Sequence, residues 1–257
     1  MAFTALLQSS SSATVIFQAF AVEGIISYHT AVYLCIGAAI GSVTPNILAS
    51  LAPSKALDQA HKEISRMGFI ALDNLRMAIL SFFEPSQEKE MIVLEREETV
   101  NYLEHAILSK LIELRTPDMH PGDLDQVSRM TLTVSDMERL SDHAENIIEY
   151  VAQIRSGKAA LSPEARKELH AMCELTLKSV ELCLQIFKTQ DYTRLPEAKV
   201  LEEQVDAATE RLIQNHIKRF MDSSCDPRGG VLFCDMVTDL ERCSDHAINI
   251  AVSLKRS

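Results

Sequence analysis

The chain has no tryptophan, 5% aromatic residues, and only eight glycines and eight prolines in 257 residues. Few turn formers, with much leucine, alanine, glutamate and methionine, point away from strand-and-turn architectures and toward helices, so the expected class is all-α. The six cysteines (Cys35, Cys173, Cys183, Cys225, Cys234 and Cys243) form no C-x-x-C pair and no zinc-like spacing, which reads as separate reduced thiols in a reducing compartment. Charge is missing from one end: residues 1 to 54 hold Glu23 alone, and from Lys55 onward acids and bases are dense. The formal net charge of -11 argues against nucleic acid as a partner and suits a protein that meets cations. No Gly-rich loop opens a helix, no G-x-S-x-G surrounds a serine, and no nucleophile has a base in reach, so no enzyme is expected.

What is present is a repeated phrase. Val134-Ser-Asp-Met-Glu-Arg-Leu-Ser-Asp-His-Ala-Glu-Asn-Ile147 recurs as Val237-Thr-Asp-Leu-Glu-Arg-Cys-Ser-Asp-His-Ala-Ile-Asn-Ile250, and most of what recurs is polar. Packing alone would repeat apolar periodicity and let charges drift, so the recurrence suggests a repeated chemical task. On a helix, Met137, Ala144, Ile148 and Val151 form one apolar stripe, and Leu240, Ala247, Ala251 and Leu254 its counterpart. Glu138 and Asp142 lie on the border of the first stripe, and Glu241 and Asp245 on that of the second. Paired carboxylates at a core edge repel unless neutralised, and hard cations prefer clustered carboxylate oxygen. The alternative is a solvated acidic edge with local pairing by Arg139 and Arg242. Glu145 and Glu149 extend the first stripe, where the second has Ile248 and Val252. His143 and His246 fall on the far side from the acids and read as hydrogen-bonding or surface residues.

Breaks at Glu84-Pro-Ser86, Thr116 to Gly122, Gly157 to Pro163, Asp191 to Pro196 and Asp226 to Gly230 divide residues 54–257 into six helical stretches. The repeated phrase occupies the third and sixth, so a three-helix unit is used twice and a six-helix bundle is expected, with repeats 54–157 and 158–257. In the second and fifth stretches, Glu97 lines up with Glu202, and Asn101 with Asp206. If those stretches run antiparallel to the phrase helices, each repeat brings four carboxylate or amide groups together.

Ala13 to Ser27 and Thr30 to Ala52 are two predominantly apolar segments, the second long enough to span a hydrocarbon core and the first short for it. Lys55, Lys62 and Arg66 follow at once, which by the positive-inside tendency places residues 54–257 in the cytoplasm of a multi-pass cell-membrane protein. Gln8-Ser-Ser-Ser-Ser-Ala-Thr14 before the first segment reads as the tip of a re-entrant hairpin. Gly37 to Asn46 breaks the second segment with glycines, hydroxyls and a proline.

The run Thr4 to Thr14, followed by the Gly37 to Pro45 element, resembles the membrane repeat of bacterial sodium/phosphate cotransporters, and the charged remainder with its duplicated E-R-x-S-D-H-A-x-N-I resembles the PhoU-type domain at their C-terminus. The resemblance implies a partial membrane repeat over 1–53 and a PhoU-like helical domain over 54–257. It implies sodium and inorganic phosphate binding at Gln8, Ser9, Ser10, Ser11 and Thr14, with Ser42 from the broken element, and a divalent or trivalent metal cluster held by Glu138, Asp142, Glu241 and Asp245, to which the spacing adds Glu97, Glu202 and Asp206. The family carries two glutamine-serine motifs and this chain has one, so the expectation is sodium-dependent phosphate transport by a truncated or partner-dependent member. It would act as a homo-oligomer or with a chain that supplies the other repeat. The alternative is a membrane-tethered, metal-binding regulator of phosphate uptake without transport of its own.

Overall fold

The computed structural model describes residues 53–116, 119–222 and 226–255, together with Ala19, Thr30 and Tyr33. The chain divides into two compact units, residues 1–59 and 60–257. The two expected membrane segments, and with them Gln8, Ser9, Ser10, Ser11, Thr14 and Ser42, lie outside the described residues. Among the described residues no helix is long and apolar enough to cross a membrane.

The described residues form α1 (Pro53–Phe83), α2 (Gln87–Leu114), α3 (Pro121–Arg155), α4 (Pro163–Thr189), α5 (Leu195–Met221) and α6 (Pro227–Val252), with a 3-10 turn at Tyr192–Arg194. The helix starts follow from local chemistry. Ser162 accepts the Ala165 N–H at 3.2 Å and Asp226 accepts the Gly229 N–H at 2.8 Å, each with proline in the first turn behind it. His120 caps α3 through its ring nitrogen, accepting from Gly122 N at 3.1 Å. α4 stops where Gln190 turns left-handed at φ 57°. The last expected break separates α5 from α6 but ends sooner than read: Asp226 is the N-cap, and Gly229 and Gly230 already belong to the first turn of α6. A Cβ on Gly229 would sit 1.8 Å from the Ala160 carbonyl oxygen, so glycine here permits close approach of the chain before α4 rather than a turn.

Within each repeat the second helix packs on the third, and α3 and α6 pack on each other. α1 is tied to α4 by the Arg76 to Glu181 pair at 2.7 Å and by His61 Nε2 donating to the Phe187 carbonyl at 2.9 Å. It also crosses α3 closely: a Cβ on Gly68 would lie 2.8 Å from Leu184 Cδ2 and 2.9 Å from Met137 Sδ. The core therefore sits among α1, α3, α4 and α6, while α2 contributes the narrower stripe Val93, Val100, Leu103, Ile107 and Leu111, and α5 contributes Val205, Ala208 and Leu212. Met137, Ala144, Ile148 and Val151 are buried as the wheel predicts, as are Leu240, Ala247 and Ala251; Leu254 lies past the end of α6 and is half-buried.

Candidate metal centres at two carboxylate clusters

The repeated phrase is a list of tasks, and the helices separate them. Its serine ties each third helix to the first helix of its own repeat: Asn74 Nδ2 donates to Ser141 Oγ at 3.1 Å, and Ser179 and Ser244 share a bond of 2.9 Å. Its first aspartate and its histidine join the two copies. His143 on α3 donates from Nδ1 to Asp239 on α6 at 2.9 Å, and His246 on α6 donates in the same way to Asp136 on α3, also at 2.9 Å. The two rings lie 5.7 Å apart between centroids. The histidines thus stand away from the acidic stripe and hydrogen-bond, as read, but His143 is buried rather than at the surface.

Read along the chain alone, Asp136 and Asp239 have no evident part in these cross-links. A signal was available: aspartate and histidine recur seven residues apart in both copies, two turns along one helix face, so two facing copies meet head to tail as reciprocal pairs. The first link is the better built. Asp239 also accepts from Tyr150 at 2.6 Å and from Asn146 at 3.4 Å, and both burial and this carboxylate push the Tyr150 phenol far above its ordinary pKa. The residue matching Tyr150 in the second copy is Ser253, and Asp136 keeps only its histidine among the described residues.

The remaining acids of the phrase turn toward the second helix of each repeat. In the first cluster, Glu97 on α2 feels Glu145 and Asp142 across the helix boundary, and Glu138 feels Asp142 and Glu104. In the second, Glu202 on α5 feels Asp206 and Asp245, and Glu241 feels Asp245 and Asp206. Residues later in one helix face residues earlier in the other, so both pairs run antiparallel and each E-x-x-x-D faces its partner stretch. All seven metal candidates thus fall into two groups: Glu97, Glu138 and Asp142 in one, and Glu202, Asp206, Glu241 and Asp245 in the other.

Crowding shifts the titration of these acids in one direction. Burial, then the Asp142 charge, holds Glu138 up at about 7, far above its ordinary 4.5. Burial likewise raises Glu97, Glu202, Glu241 and Asp245, with neighbouring carboxylates adding to each. Arg139 and Arg242 offset a little of this; Arg139 reaches Glu138 only at 3.9 Å. Side-chain oxygens of Glu202, Asp206 and Asp245 all lie within 4.8 Å of one another, close enough to share one cation. In the first cluster Asn101 donates its Nδ2 to Glu97, which leaves the Asn101 Oδ1 buried and without a partner. A buried oxygen beside raised carboxylates is an acceptor that lacks a donor or a cation.

Comparison with known proteins agrees with this duplicated architecture. The family model described as PhoU domain matches residues 64–151 and again 169–254, and the one described as Na+/Pi-cotransporter matches residues 1–78. Relatives described as phosphate-specific transport system accessory protein PhoU homologues include one from Streptococcus pneumoniae, 23% identical over 201 residues, covering 77% of this chain and 91% of the relative. Another from Synechocystis is 25% identical over 202 residues, covering 77% and 87%, and one from Thermotoga maritima is 24% identical over 192 residues, covering 73% and 81%. The crystal structure of the phosphate transport system regulatory protein PhoU from Streptococcus pneumoniae superposes with a TM-score of 0.70 at 22% identity, over 79% of this chain and 95% of that one. The PhoU structure from Pseudomonas aeruginosa gives 0.70 at 21%, over 77% and 94%. The two structures share the six-helix fold. With two consecutive copies of the domain spanning the bundle, and the Na+/Pi-cotransporter match over residues 1–78 running into the first, this chain belongs to the PhoU domain family.

Proposed function

We propose that the chain serves sodium-dependent uptake of inorganic phosphate, with the helical bundle as its control unit and two metal-loaded carboxylate clusters as the working parts of that unit. The observation that carries the metal half is the pair of antiparallel acid clusters, one of which leaves the buried Asn101 Oδ1 unpartnered. Their donor set is all oxygen, which fits a hard divalent or trivalent cation. Glu97, Glu138 and Asp142, with Asn101, would hold it in the first repeat, and Glu202, Asp206, Glu241 and Asp245 in the second. A bound cation supplies positive charge that lets all of these acids ionise together. The chain's own contribution is to hold the acids apart from their ordinary counter-ions, on antiparallel helices that pack directly on each other, α2 on α3 and α5 on α6.

The transport half rests on the match of residues 1–78 to the cotransporter family and on the hydroxyl and amide run Gln8, Ser9, Ser10, Ser11 and Thr14, with Ser42. Sodium held by such oxygens favours a phosphate anion beside it, and a second copy or a partner chain would supply the other repeat. The accessory-protein descriptions of the relatives favour a second reading, in which the bundle regulates a separate phosphate transporter and the N-terminal segment anchors it. Two measurements separate these. Metal content of the purified full chain is expected to fall by at least half in Glu138→Gln with Glu241→Gln; an unchanged content rejects the clusters as metal sites. Sodium-dependent phosphate uptake by cells making this chain is expected to vanish in Ser10→Ala; uptake never above background, alone or with a co-expressed cotransporter half, leaves the regulator reading.

A further inference from the structure

α2 is apolar on two opposite faces, and the bundle uses one of them. Val93, Val100, Leu103, Ile107 and Leu111 are buried, while Met91, Leu94, Tyr102 and Ile112 on the other side are 50%, 42%, 43% and 66% exposed. A helix that ends its domain normally turns polar side chains to water on that face. Here the exposed stripe has an order of its own. Met91, Glu98, His105 and Ile112 follow one another at seven-residue intervals, with Leu94 and Tyr102 between them, over about 31 Å of helix at 1.5 Å per residue. Glu98 and His105 are exposed, and neither has an ion-pair partner among the described residues.

That order is symmetric under reversal in its main members: Met91 exchanges with Ile112 and Glu98 with His105, while Leu94 exchanges with the exposed Ser109. Laid antiparallel against a copy of itself about a two-fold axis near Tyr102, the stripe puts an apolar end on an apolar end and, twice, an acid on an imidazole. We propose that this face of α2 is a contact with a second copy of the chain, in which Met91 packs on the partner's Ile112 and Glu98 pairs with the partner's His105. A two-fold contact must be complementary to itself, and few unrelated surface stripes are. A parallel arrangement would set Glu98 against the partner's Glu98, which costs rather than gains. The second repeat offers no such stripe on α5: the matching positions of Glu98 and His105 are Glu203 and Glu210, both exposed and of one sign. The proposal rests on no part of the metal or transport readings, although Glu97 and Asn101 lie on the flank of the same helix, so the contact would border the first cluster.

Cysteine cross-linking of the full chain, extracted in detergent, tests it. Tyr102→Cys is expected to give a covalent dimer on mild oxidation, well above the unsubstituted chain with its native thiols. Glu98→Lys in that background sets a cation against the partner's His105 and is expected to lower the yield at least about tenfold. Adding His105→Glu reverses both signs and is expected to restore it. Because these residues are exposed, helix content by circular dichroism is expected to stay unchanged throughout. No dimer above background with Tyr102→Cys, a yield indifferent to Glu98→Lys, or linkage to a different protein in place of a second copy would each overturn the proposal.

Discussion

The two carboxylate clusters are built on one plan, yet they place their fourth acid on opposite helices. In the second cluster it is Asp206, on α5; the first has Asn101 there and instead carries Glu145 on α3, where the second has Ile248. Each cluster therefore keeps a fourth carboxylate while exchanging which wall supplies it, and Glu104 on α2 adds a further one beside Glu138 in the first. The position of that acid decides which carboxyls it raises beyond burial: Glu145 pushes up Glu97 in the first cluster, and Asp206 pushes up Glu202, Glu241 and Asp245 in the second. The rise of Glu138 to about 7 comes instead from burial, then Asp142 and Glu104. The histidine–aspartate links differ in the same graded way, Asp239 being held by three donors and Asp136 by one.

Breaking the links should expose that grading most strongly. Asp239→Ala leaves His143, Tyr150 and Asn146 without their acceptor in a buried place and is expected to cost about 3 kcal/mol, against about 1 kcal/mol for the more exposed Asp136→Ala. Denaturant unfolding of the two variants measures it, and equal losses would mean that the links are equivalent after all. Next in size is the pH response of metal-free protein. Glu138 has a folded pKa raised above its unfolded 4.5, so the folded state holds the extra proton between pH 4.5 and about 7, and stability falls as pH rises through that window. With solvent screening the Glu138 share of that fall is about 1 kcal/mol, and Glu138→Gln is expected to remove it, leaving the smaller share of the other raised carboxyls. A slope undiminished by the substitution assigns it elsewhere.

Converting one cluster toward the other gives a smaller effect. Asn101→Asp adds an acid beside Glu97 and Asp142, so metal-free protein should lose about 0.5 kcal/mol at neutral pH while cation affinity rises. The paired change Asn101→Asp with Glu145→Ile should restore the stability, since it reproduces the second cluster's arrangement. Titration calorimetry with a divalent cation checks the affinity. Tyr150→Phe removes one of three bonds to Asp239 and should cost about 1 kcal/mol or less in denaturant unfolding, well below the loss for Asp239→Ala.

Much of this bundle is legible in the residues because helix ends and apolar faces are local matters. Ser162-Pro163 starts a helix wherever it stands, and Met137, Ala144, Ile148 and Val151 share a face whatever they pack against. The same locality misleads at Gly229-Gly230, which reads as a break because a close approach to Ala160 cannot be seen along the chain. The carboxylate clusters are half local: E-x-x-x-D puts two acids on one face by itself, but Glu104 and Glu145 join only through the register between α2 and α3. Asp136 and Asp239 are silent beside their own sequence neighbours, because their partners lie 110 and 96 residues away.

The crossed histidine–aspartate links carry a consequence for how such a protein can arise. Each repeat brings one aspartate and one histidine, and each gives its aspartate to the other's histidine. A single ancestral repeat would have owned both halves of the bond already, so two free copies could dock through it before any fusion joined them. Duplication then had only to tether an existing pair. The joined halves differ in that bond, since Tyr150 tightens one link and Ser253 stands at the matching place of the other, an asymmetry that a single tethered chain can hold and two identical free copies cannot.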